Sequence, residues 1–140
     1  MVKLRQVPPR LATGAYILHT GLEKRDGNEQ RAAALHAMAC GAYPFLKAIP
    51  PRRFLRLLSI AEMAVGTALL APFVPTALAG AALTGFSGAL VLMYLRTPAL
   101  HKPGSVWPTP AGIAVSKDMW MLGVGVGLLV DAATDRSSGT

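Results

Sequence analysis

Charge is what this chain has least of. Only 15% of its 140 residues are charged, where soluble domains average about 25%. A charge-poor surface does not suit a water-facing domain, and the mean hydropathy of +0.41 points toward lipid. Cysteine is nearly absent: Cys40 stands alone, which rules out an internal disulfide. Missing too are C-x-x-C, H-E-x-x-H, a haem-attachment pattern and any ordered Ser-His-Asp set, so the familiar metal and nucleophile chemistries have no motif to rest on. No A-x-A-type cleavage site follows the first apolar stretch, which is read as an uncleaved first span. No inverted repeat relates the two halves, so a solute carrier built on such a repeat is not indicated.

Acidic residues are half as frequent as basic ones, 7 against 14, giving a formal net charge of +7 and a pI near 10.2. The basic residues flank apolar runs instead of lining one polar face. Anionic lipid headgroups are therefore the expected counter-charge, and nucleic acid is not an expected partner.

What is abundant is apolar sequence in helix-length runs. The clearest is 54–73, FLRLLSIAEMAVGTALLAPF, whose only ionisable residues are Arg56 and Glu62. Twenty helical residues span about 30 Å, the thickness of a bilayer core. Arg56 lies near the start and can snorkel, but Glu62 lies about 12 Å in and needs a partner or a neutral form. Residues 76–95 carry no charge, and their small residues, Gly80, Thr84 and Gly88 among them, suit close helix packing. A run at 111–130 contains Lys117 and Asp118 and then Gly123-x-Gly125-x-Gly127, with Gly123 and Gly127 expected in helix packing. A shorter run at 9–22 gives the first span, with Arg10, Gly14, Leu18 and Gly21 near helical spacing. Between spans one and two, an alanine-rich helix at about 29–43 is too short to cross and is expected to lie at the interface or re-enter. Asp26 or Asn28 can cap it. The proline-rich loop 97–110 cannot be regular helix, Trp107 within it suits an interfacial anchor, and the tail 131–140 is expected to be disordered.

The expected architecture is an all-α integral membrane protein: one domain, a four-transmembrane-helix bundle with an additional short interfacial helix. Its place is the bacterial cytoplasmic membrane, with multi-pass topology. Nine basic residues (Lys24, Arg25, Arg31, Lys47, Arg52, Arg53, Arg56, Arg96, Lys102) border one side against four (Lys3, Arg5, Arg10, Arg136), which puts both termini outside.

Depth then assembles a polar cluster. In a four-span bundle, spans two and four start from the same side, so Glu62 at about 12 Å and Lys117 and Asp118 at about 9–11 Å fall at matching heights. Lys24 and Arg96 close the first and third spans on that side, and His19 lies one turn deeper. Two readings follow for Glu62, Lys117, Asp118, Lys24, His19 and Arg96. One is a buried ion-pair network: Glu62 with Lys117 or Lys24, Asp118 with Arg96 or His19. The other is a polar cup that receives a small ligand such as a quinone headgroup, or conducts protons. His36, Cys40 and Tyr43 share one helical face, but two ligands are too few for a metal and a packing face is expected.

The first-span ending Gly21-Leu22-Glu23-Lys24, the stretch Ser59-Ile60-Ala61-Glu62 followed by small residues, and Lys117-Asp118 in the last span resemble the DoxX-like family of small four-span bacterial membrane proteins, actinobacterial type. The resemblance covers roughly residues 9–130 and departs at 23–53, where an extra helix is inserted. The family takes its name from a subunit associated with an archaeal quinol oxidase and thiosulfate oxidation, and some mycobacterial relatives are implicated in membrane-bound redox-defence assemblies with soluble partners. The resemblance implies an accessory or scaffold subunit of a membrane-associated redox or respiratory complex, without catalytic activity of its own and with other membrane subunits or a redox protein as partners. The alternative is a quinone-binding or proton-handling protein that uses the polar cup.

Overall fold

A computed structural model describes residues 2–138. Among the described residues there are five α-helices: α1 (Val7–Arg25), α2 (Glu29–Ala42), α3 (Pro51–Leu70), α4 (Thr76–Arg96) and α5 (Ile113–Ser137). The boundaries follow from backbone chemistry. Prolines stand in the first turns of α1 and α3, where no N–H is required. Asn28 caps α2 by accepting the Arg31 N–H at 2.9 Å. Pro44, Pro72 and Pro98 follow the ends of α2, α3 and α4. Of the two expected caps for α2, Asp26 instead closes the C-terminus of α1.

The helices α1 and α3 run antiparallel, as do α4 and α5, and the two pairs share a core of Ile17, Val65, Leu69, Ala79, Leu83, Met121 and Leu128. Small residues set the distances. A Cβ on Gly66 would lie 2.7 Å from the Leu18 nitrogen and 2.9 Å from the Gly14 oxygen, so the backbones of α1 and α3 all but touch. Helix α2 lies across α3 and α4, with Ala39 and Ala42 packed beside Met93.

Among the described residues two helices, α4 and α5, are long and apolar enough to cross a membrane. Helices α1 and α3 are comparable in length at 19 and 20 residues. Each carries four Asp, Glu, Lys or Arg side chains, and three of these, Arg10, Lys24 and Glu62, are buried.

The tail is a correction. Residues 131–137 continue α5 instead of being disordered; 139–140 lie outside the described residues. Asp131 and Asp135 anchor this extension on the N-terminal arm. The Arg5 guanidinium donates to Asp131 at 2.7 Å and to Asp135, and Lys3 pairs with Asp135 at 2.7 Å. These carboxylates hold the Arg5 guanidinium above its usual pKa. A second refinement concerns the loop 97–110, which is not regular helix but is well tied. An antiparallel bridge joins His101 to Pro108, and the Tyr94 hydroxyl donates to the Val106 carbonyl at 2.8 Å.

Candidate functional site

One stripe of α1 faces α3: Arg10, Gly14, Ile17, Gly21 and Lys24, spaced by three and four residues. At its C-terminal end the Lys24 ammonium reaches Glu62 of α3, with Nζ 2.9 Å from Oε1 and 3.0 Å from Oε2. Both residues are buried, Glu62 being only 3% exposed. One turn before Glu62, the Ser59 hydroxyl donates to the Gly21 carbonyl at 2.6 Å. Each charge is therefore met at short range, as burial demands.

Asp118, on the second turn of α5, is 2% exposed. Its partner is the adjacent Lys117, at 3.6 Å, which is longer than a good hydrogen bond. The Lys117 side chain stays partly exposed. A cavity of about 570 Å³ opens beside these groups, and Lys24, Glu62, Lys117 and Asp118 all line it. Tyr16, Thr20, Glu23 and Arg31 add polar atoms to its wall, while Phe54, Leu58, Leu90 and Met93 form an apolar side. Four of the six residues that depth alone grouped thus share one cavity.

The other two do not join them. His19 is exposed and lies 3.8 Å from Glu23 on its own helix. It follows the buried Ile17 by two residues, about 200° around the helix, so matched height came with the wrong azimuth. Arg96 turns the other way and donates to the Ala42 carbonyl at 3.1 Å, at the end of α2, where the helix terminus presents free carbonyls.

The packing glycines need a similar correction. Gly80 and Thr84 do face α5, and Gly88 touches it loosely through Leu122. Their counterpart is Gly125, where a Cβ would lie 2.6 Å from the Thr84 hydroxyl. A Cβ on Gly123 or Gly127 would meet nothing within 4 Å beyond its own helix. The inward stripe of α5 is Asp118, Met121, Gly125 and Leu128, and positions two residues away from Gly125 fall off it.

His36 and Cys40 serve a packing face. The imidazole Nε2 lies 2.9 Å from the Leu46 oxygen and 3.4 Å from Cys40 Sγ, and the Tyr43 hydroxyl donates to the Ala89 carbonyl at 2.7 Å. No group of three or more His, Cys, Asp or Glu side chains among the described residues is placed to hold a metal ion.

The most heavily bonded group was not a candidate in the sequence. Arg10 is buried, and its guanidinium makes five hydrogen bonds: to the carbonyls of Ala68, Leu69, Ala71 and Val74 at 2.8–3.1 Å, and to the Thr76 hydroxyl at 3.0 Å. It caps the C-terminal carbonyls of α3 and holds the turn into α4. Thr76 in turn donates to Gln6 at 2.7 Å, and Gln6 donates to Asp131 at 2.5 Å. One polar chain thus ties the ends of four helices. Its signal was Arg10 on the same stripe as Gly14 and Gly21; its acceptors are backbone carbonyls, which no residue type announces.

Neither a protein-family model, nor a curated protein, nor a solved structure matches the chain.

Proposed function

We propose that this is a small multi-pass protein of the bacterial cytoplasmic membrane, with α1, α3, α4 and α5 as four spans and both termini outside. In this reading it is a non-catalytic accessory subunit of a redox assembly, in keeping with the DoxX-like resemblance, and its polar cavity binds a quinone headgroup. The observation that carries the reading is the cavity itself: two buried acids and two lysines border an open space of about 570 Å³. Ion pairing alone would stabilise the helices best with the charges packed shut. Here Asp118 keeps a loose partner and borders the cavity.

A second reading, a scaffold that binds no ligand, is favoured by the Lys24–Glu62 pair, whose short contacts already satisfy both groups. Quinone titration of the purified protein in nanodiscs separates the two, using Glu62→Gln and Lys117→Met. If both variants fold and assemble but lose quinone binding, the cavity reading stands. If both fold and bind as the parent does, or if they only fall apart or lose a partner subunit, the scaffold reading replaces it.

A further inference from the structure

Next to the polar cavity lies a slot of about 290 Å³ with almost wholly apolar walls. Phe54, Leu58, Leu90 and Met93 line both spaces, so the two are neighbours across one set of side chains. Tyr43, Phe45, Phe86 and Ala89 also line the slot, where the chain following α2 passes over α4. The Tyr43 hydroxyl fixes that crossing through its bond to the Ala89 carbonyl. Phe45 is 72% exposed beside it, so the outer edge of the slot is open.

We infer that cavity and slot form one site for an amphipathic ligand, a prenyl-tailed quinone, with its head at Lys24, Glu62, Lys117 and Asp118 and the first part of its tail in the slot. This rests on the reading of the cavity as a headgroup site and names what that site takes. The head class follows from charge balance. The cavity wall carries Glu23, Glu62 and Asp118 against Lys24, Arg31 and Lys117, three of each sign. A phosphate or other anionic head would meet two buried carboxylates, whereas an uncharged ring with two carbonyl oxygens accepts hydrogen bonds from the lysines without adding net charge. The tail class follows from the slot, which offers a polar chain nothing to bond and a hydrocarbon chain continuous contact.

The test uses a quinone with a photoactivatable group partway along its tail, together with a tailless quinone. In nanodiscs, light should attach the probe to residues 43–46 and 86–93, excess unlabelled tailed quinone should prevent this, and Ala89→Phe should move the label while leaving tailless-quinone affinity unchanged. Ala89 is exposed, so the added ring narrows the slot without entering the core. If the tailless quinone binds but the label falls on other segments or only on lipid, the slot assignment is overturned and the headgroup reading survives. Label at 43–46 and 86–93 that phosphatidylglycerol removes and quinone does not overturns the ligand class. If neither quinone binds, both readings fall.

Discussion

The two ends of the helix bundle handle buried charge in opposite ways. At the end where α1 and α4 begin, Arg10 is saturated by four backbone carbonyls and Thr76, and Gln6 passes the network to Asp131. At the other end, charge meets charge: Lys24 with Glu62 at close range and Lys117 with Asp118 loosely, beside an open cavity. A cation bonded to carbonyls is fixed in place, because helix ends cannot titrate or swing away. Side-chain ion pairs can exchange partners with a ligand. The first end reads as a clamp and the second as a site.

The largest effect is expected at Arg10. Arg10→Met strips the end of α3 of its donor and should cost about 3–5 kcal/mol, the range for losing one partner of a buried polar cluster. Thermal unfolding in detergent would show it, and quinone affinity in the surviving folded fraction should be unchanged. A loss of affinity with stability intact would reverse the roles of the two ends.

Next is Glu62→Gln, which leaves the buried Lys24 ammonium without its counter-charge. The expected loss is about 2–3 kcal/mol, below the full buried-pair value because Lys24 sits near a helix end and can reach outward. Adding Lys24→Met should recover most of that stability without restoring ligand binding; equal stability of the single and double variants would show that the pair is not coupled.

The small-residue contact between α4 and α5 is the third test. Gly125→Ala forces a Cβ against Thr84 and should destabilise by about 1–3 kcal/mol, as overpacking does. Gly123→Ala meets open space and should be neutral or stabilising by up to about 1 kcal/mol through helix propensity. Equal effects would mean that the stripe on α5 is misassigned. The smallest change belongs to Asp135→Asn at the exposed edge of the clamp, whose effect on thermal unfolding should be the weakest of these and should fade with salt.

Helix positions were legible because apolar runs and prolines mark them, and the extra helix was legible from its cap and its short length. Height along the helices was legible as well: counting residues from the ends of the apolar runs grouped Glu62, Lys117, Asp118 and Lys24, which line one cavity. Azimuth was harder. His19, Gly123 and Gly127 fail because small residues recur on more than one face of their helices, and only packing decides which face turns in. The clamp and the ordered residues 131–137 were hidden for another reason. Their partners are backbone carbonyls or residues more than a hundred positions away, and a single chain carries no local mark of either.

In the proposed four-span topology these two ends lie on opposite sides of a membrane, with α1 and α3 crossing alongside α4 and α5. It is tested most directly by labelling single cysteines with a membrane-impermeant reagent in a Cys40→Ser background, at Asp26, Phe73 and Lys102, three exposed positions on the connecting turns. Four crossings predict that Asp26→Cys and Lys102→Cys label from one side and Phe73→Cys from the other. If Asp26→Cys labels together with Phe73→Cys, and only Lys102→Cys lies opposite, then α1 and α3 do not cross and the cavity is not a membrane site.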